Sequence, residues 1–394
     1  MEGVHIDTIR DVGGLAGLAS EWDAVLGDSV ADGPFLTHEC VSEWWRQYGE
    51  GRDLSVLTCR DDSRELLGVL PLYGCRMGGA GSPRVLRLLC DEGVGAIGLG
   101  AFARAGREVA VCLAFGDHLC ARVADWDALD LRFMRCDSAF FERMQVPPPG
   151  CSVSVRGDTG TSPVIALPAD WDTYLNTSLD GHDRRGIGRT RRRAAEAGAR
   201  WERITDPADL PQALSDANAL YEERMRTVVG PFFATTPEYR RFARHVAAWL
   251  LERDRLRLWF LAVDGERAAF WAFVRHGDAL HAIQTGFAEK YAALSAPKVL
   301  LGFAIEDAIR EGCTKLCFGL GDQRYKHEWG AYELECFSDL RVFSGSVNGR
   351  LAAMAQQLAD VSLDALLAAP DVVRKPIVRT VKAARSMTRG KRRE

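Results

Sequence analysis

Residues 256–287 read LRLWFLAVDGERAAFWAFVRHGDALHAIQTGF. Three apolar runs, Leu256–Val263, Ala268–Val274 and Ala279–Phe287, are cut by Asp264-Gly265 and Gly277-Asp278. Asp-Gly is a strong hairpin signal, because a type I′ turn needs positive φ and glycine adopts it freely. Three consecutive strands are therefore expected. Lys298–Glu311 then switches to helical spacing, with Leu301, Ile305 and Ile309 on one face. Ser295 stands where it can cap that helix, Pro297 fits its first turn, and Gly312 sits just past its end. Thr314–Gly319 reads as one more strand. A strand, helix, strand crossover implies parallel pairing or a wide separation. The block closes on GLGDQRYKHEWG, Gly319–Gly330. It sets a helix N-terminus beside a bent sheet, a corner that suits an anion because unpaired N–H groups and the helix dipole attract negative charge.

Upstream, Leu54–Cys59 and Leu66–Leu72 form a second hairpin around a charged turn, and Arg84–Leu89 continues the strand pattern. Leu15–Leu26 and Thr37–Tyr48 read as helices, and Ala128–Phe133 as a strand. The stretch Leu54–Tyr73 parallels Leu258–His276: apolar strand, short charged turn, apolar strand. That is the mark of an internal duplication, or of two hairpins that look alike as hairpins do. Between them, Pro147–Gly150 is a stiff break and Arg156–Pro163 is rich in turn residues. The expected organisation is a first domain over 1–150, a second over 163–350, and a helix with a basic tail over 351–394.

The 394 residues carry 50 basic and 54 acidic side chains, a net charge of −4, so no overall field favours DNA or RNA. Eleven cysteines are scattered without a Cys-x-x-Cys pair, which points to buried thiols in a reducing, cytoplasmic setting, and no metal is expected. No signal peptide and no apolar run of membrane length is seen. Asp371–Glu394 holds nine basic and two acidic residues. Such a tail suits peripheral contact with an anionic membrane or RNA, and equally a solvated, disordered segment.

Pro34-Phe-Leu-Thr-His38 with Glu43-Trp44-Trp45, the strand Leu66–Leu72, the arginine-rich Arg184–Arg193 and the ending Gly321–Gly330 together carry a resemblance. The chain resembles the CelD/BcsL-type acetyltransferases of the GNAT superfamily, which are similar to the FemABX aminoacyl transferases in having two GNAT-like domains in tandem. The likeness spans most of the chain, and the Tyr-Lys-x-x-Trp-Gly ending is its most specific part. It implies an α/β fold of two GNAT-like domains in tandem, each a mixed bent sheet flanked by helices. It also implies acyl transfer to an amine, from coenzyme A or, as in FemABX relatives, from aminoacyl-tRNA. GNAT enzymes usually wrap pyrophosphate with an Arg/Gln-x-x-Gly-x-Gly/Ala loop. Here the equivalent Ala293–Lys298 has no glycine. Backbone amides at Ser295 and Ala296, with the charge of Lys298, are the candidates for holding an acyl-CoA donor.

An attacking amine must lose a proton, and the tetrahedral oxyanion needs a donor. Asp322 is the candidate base, Tyr325 the proton donor to the leaving thiolate, and Lys326 the oxyanion or phosphate ligand. The plainer reading is that Tyr325, Lys326 and Trp329 anchor a loop. Arg185, Arg189 and Arg192 share a helical face that can grip a phosphate or carboxylate of the acceptor. They also read as a solvated face balanced by Glu196 and Glu202, and Gly186 and Gly188 weaken the helix. Gln284 reads as pocket or core, His281 and Trp271 as core. The resulting expectation is a cytoplasmic N-acyltransferase moving an acyl group, acetyl first, from acyl-CoA to an amine on a small molecule or sugar. A tRNA-dependent transferase and a non-catalytic scaffold are the rivals.

Overall fold

The structure, a computed structural model, describes residues 3–31, 33–76, 78, 81–225 and 236–368, without the side chains of 157–159 and 361–368. Its strands are β1 (Val4–Ile9), β2 (Asp53–Asp61), β3 (Leu66–Arg76), β4 (Arg84–Leu88), β5 (Phe102–Ala103), β6 (Ala128–Arg135), β7 (Ser152–Ala166), β8 (Arg200–Arg203), β9 (Leu256–Val263), β10 (Glu266–His276), β11 (Ala279–Phe287), β12 (Lys315–Cys317) and β13 (Glu333–Phe343). Its helices are α1 (Val12–Gly17), α2 (Ala19–Gly27), α3 (His38–Tyr48), α4 (Glu108–Ala121), α5 (Ala139–Met144), α6 (Trp171–Thr177), α7 (Gly181–Glu196), α8 (Leu210–Met225), α9 (Pro237–Glu252), α10 (Ala296–Arg310), α11 (Arg324–His327) and α12 (Val347–Ala368).

The strands join in one mixed sheet, ordered β1-β2-β3-β4-β6-β13-β7-β12-β11-β10-β9-β8, with β5 attached to β3. The two halves repeat one plan. β2, β3 and β4 are antiparallel, and β4 then pairs in parallel with β6 beyond α4. β9, β10 and β11 are antiparallel, and β11 pairs in parallel with β12 beyond α10. The two hairpins that look alike in sequence hold equivalent places, β2–β3 and β9–β10.

The turn-rich stretch Arg156–Pro163 is not a linker. It lies within β7, paired along one side with β13, and β12 joins the other side only from Val164 onward. The β13 ladder outweighs the local preference of its residues, since strand propensity is set mainly by neighbours. Pro163 brings no N–H, and its carbonyl accepts the Phe318 N–H at 3.0 Å. β13 crosses from the second half to pair with β6 of the first.

α10 buries Val299, Leu300, Leu301, Ile305 and Ile309 against β9 and β10, each worth about 1.5–3 kcal/mol when removed from water. Trp271 is core, as expected, and its indole N–H donates to the Pro297 carbonyl at 2.9 Å. Ser295 sits at the N-cap position with φ 52° and its side chain makes no capping bond, so the expected cap is absent. After α11 the chain turns at Gly330, where φ is 75° and an added Cβ would lie 2.5 Å from the Ser178 carbonyl oxygen. Gly330→Ala is expected to cost about 1–3 kcal/mol, read as a lower urea midpoint at unchanged slope. The basic stretch Asp371–Glu394 lies outside the described residues, and among those described no helix is long and apolar enough to cross a membrane.

Candidate active site

β11 and β12 pair only over Ala279–His281 and Lys315–Cys317. Beyond that point β11 runs on to Phe287 while the chain after β12 turns away. A register shift between Ala272 and Phe273 leaves Ile283 outside the β10 ladder as well, a bulge at the mouth of the opening. The result is a cleft of about 540 Å³, within the size range of small-molecule sites. One wall is His281–Ile283 with Cys317–Leu320. The other is contributed by the first half: the loop from Gly93 to Gly98, with Arg135, whose guanidinium bonds Glu335 at 2.9 Å. His281, expected in the core, instead stands half-buried in the cleft wall at the last paired position before the strands part.

The Gly93 loop is a part of the site that the motif reading leaves aside, although its signal is plain: four glycines among the eight residues Gly93–Gly100. Gly93, Gly95 and Gly98 all adopt φ near 70–80°, which lets the backbone fold tightly against the cleft.

Lys326 is 2% exposed and its ammonium donates to three carbonyls, Gly319 at 2.9 Å, Leu320 at 3.2 Å and Gly321 at 2.7 Å. All three of its donors are engaged, so in this geometry it fixes the cleft-wall loop and has no N–H left to offer an oxyanion. Burial pulls its pKa down to about 8, opposed by the Asp322 carboxylate. The unfolded chain keeps this proton up to the ordinary value near 10.5, so between about pH 8 and 10.5 the unfolded state binds more protons. Stability from this group is thus expected to rise with pH across that window. A thermal-unfolding series should show the rise in wild type and lose it in Lys326→Met.

Asp322 is exposed and bonded to His327, and it does not line the cleft. Tyr325 packs edge-on against Phe318, one layer behind the wall, with ring centroids 6.1 Å apart. Burial raises its pKa, so it stays a phenol, with Arg224 pulling the other way. Arg224, on the last turn of α8, donates to the Thr285 carbonyl at 2.8 Å. α8 reaches β11 this closely because Gly286 has no side chain: a Cβ there would lie 2.7 Å from the backbone at Leu220 and Tyr221. No motif marks Arg224, because its place depends on this long-range contact. Gln284 turns away from the cleft into a second, apolar cavity between α8 and α9.

α7 forms despite Gly186 and Gly188. Asp180 caps it by accepting from the His182 and Asp183 amides, and Ile187 and Ala194 are buried. Arg185, Arg189 and Arg192 are exposed on it. The structure brings Arg189, but not Arg185 or Arg192, into a pocket with Arg193, Lys298 and Arg324, tempered by Asp183 and Glu328. Lys298 bonds Glu328 at 2.7 Å. Arg191 stacks between Trp171 and Phe303 and pairs with Glu306 at 3.0 Å.

The start of α10 is a poor amide cradle. Pro297 has no N–H, and the Lys298 and Val299 amides both bond the Ser295 carbonyl at 2.9 and 3.1 Å. Ala296 is fully buried. The positive charge at this corner therefore comes from side chains beside the helix start. Among the described residues no group of three or more His, Cys, Asp and Glu is placed to hold a metal ion.

Residues 181–327 match the model of the acetyltransferase (GNAT) domain family. Searched against curated proteins, the sequence finds no significant match. Among solved structures, FemX aligns with a TM-score of 0.57 and 12% identity, over 88% of this chain and 99% of that one. The C-terminal domain of a putative lysylphosphatidylglycerol synthetase from Agrobacterium fabrum gives 0.51 and 12%, over 87% and 97%. L-PGS from Bacillus licheniformis gives 0.50 and 11%, over 88% and 96%. At these identities the likeness is one of fold. The second half thus resembles a GNAT domain over residues 181–327, the first half repeats its strand plan, and the fold is two such α/β units in tandem.

Proposed function

We propose that the protein is an N-acyltransferase that moves an acyl group from an acyl-CoA to an amine bound in the cleft between its halves. The observation that supports this most is the parting of β11 and β12 after His281 and Cys317, which opens the cleft at a side chain able to take a proton. The amine nitrogen attacks the thioester carbonyl, so a C–N bond forms and the C–S bond breaks. His281, rather than the exposed Asp322, accepts the amine proton. The oxyanion is assigned to the Ile283 N–H, outside both ladders. The leaving thiolate takes its proton from solvent, since Tyr325, expected to supply it, lies one layer behind the cleft wall and supports Phe318. Lys326 holds the loop on which these groups depend.

Arg189, Arg193, Lys298 and Arg324 are assigned to the phosphates of the donor. The same cationic pocket suits an aminoacyl-tRNA, and the side-chain rather than amide character of the site keeps that donor as the second reading. Calorimetric titration with acetyl-CoA separates the two. Micromolar binding, weakened in the Arg189→Ala/Lys298→Ala double variant, is expected. No binding of acyl-CoA alongside salt-sensitive binding of aminoacyl-tRNA would replace the first donor by the second. The acceptor, an amine on a small molecule or sugar, and a CelD-like role belong to the same proposal.

A further inference from the structure

The second cavity, about 250 Å³, lies between α8 and α9 and the face of β9–β11. Most of its lining is carbon, including Leu214, Phe242, Val246, Leu258 and Phe270, with Asn218, Arg240, Arg244 and Gln284 among the polar side chains. Pro34, Phe35 and Ile283 line both this cavity and the cleft, so the two spaces adjoin. Along β11, His281 lines the cleft, Ile283 at the bulge borders both spaces, and Gln284 lines the cavity.

Close packing is the rule in protein interiors, and an unfilled apolar cavity lowers stability in proportion to its volume. Apolar cavities do not hold water, yet they take up apolar ligands when one fits, as an engineered cavity of roughly 150 Å³ takes benzene. We infer that this cavity receives the aliphatic chain of a substrate whose reacting end lies at His281. Taking for each methylene roughly the 30 Å³ that a water occupies in the liquid, it accommodates a chain of roughly eight carbons. The chain belongs to the transferred acyl group or to the acceptor amine. Both present the same chemistry to the wall, and the placement of the reacting end rests on the acyl-transfer reading above.

The test uses the full-length protein and three linear series, each from two to twelve carbons: acyl-CoAs, primary alkylamines and free fatty acids. Dissociation constants are measured by calorimetry for wild type, Ala243→Phe and Ala217→Leu. The two variants narrow the cavity from α9 and from α8, so if one fails to fold the other still reports. Burying each methylene is expected to tighten binding about fourfold, up to about eight carbons, with a plateau beyond. In the variants the plateau should arrive several carbons earlier while short chains bind as in wild type. A length dependence in the acyl-CoA series assigns the chain to the donor, and one in the alkylamine series assigns it to the acceptor. If no acyl-CoA binds but fatty acids show the dependence and the variants shorten it, the cavity assignment stands and the donor assignment falls. If no series depends on chain length, or if the variants leave the dependence unchanged, the chain site is overturned.

Discussion

His281→Ala is expected to lower kcat by about 10²–10⁴-fold, the usual contribution of a positioned base, with donor affinity unchanged. The residue occupies the last rung shared by β11 and β12, opposite Cys317. Every residue further along β11 has lost its β12 neighbour, so the imidazole stands where the sheet opens. It is only half-buried, and the strand backbone that carries it is held by β10 on the other side. Truncation should therefore leave the fold intact, which circular dichroism and the urea midpoint can verify. His281→Gln keeps the shape and polarity without a usable base and should be equally slow. Wild-type turnover in both variants would remove His281 from the mechanism and return the proton to another group.

Lys326→Met is expected to cost about 3 kcal/mol or more. The three carbonyls it now satisfies would lose their donor at once, and each buried unsatisfied group costs about 1–3 kcal/mol. Turnover should fall with it, since Gly319 and Leu320 form part of the cleft wall. Lys326→Arg should not rescue, because a planar guanidinium cannot aim at three carbonyls arranged around one ammonium. A variant that kept full stability but lost kcat would show instead that Lys326 acts on the reacting groups. Urea denaturation and steady-state kinetics on the same samples distinguish the two.

Much of the second half is legible in its sequence. Asp264-Gly265 and the apolar runs beside it specify β9 and β10, and the spacing of Leu301, Ile305 and Ile309 specifies α10, because these signals act over a few residues. The α7 helix is harder to read, since Gly186 and Gly188 obscure a segment that the Asp180 cap and two buried side chains hold together. β7 is illegible for the opposite reason: its turn-prone residues are extended by β13, a strand from far along the chain. In the site, spacing singles out Gly319–Gly330, and it assigns Arg189 to the acceptor and Lys298 to the donor, whereas the fold sets the two side by side in one pocket. It cannot tell that Lys326 bonds back to the carbonyls just before it. Nor can it tell that His281 stands at a parting of strands, because a two-residue period is the same in a closed ladder and an open one.

The insertion of β13 between β6 and β7 has a consequence in time. β6 ends at Arg135, and the strand that covers its edge begins at Glu333, roughly 200 residues later. At a synthesis rate of about 5–20 residues per second, the emerging first half waits roughly 10–40 s with that edge bare. An open strand edge is a template for pairing with another chain. The first half thus emerges with its sheet open, and only the far end of the polypeptide closes it.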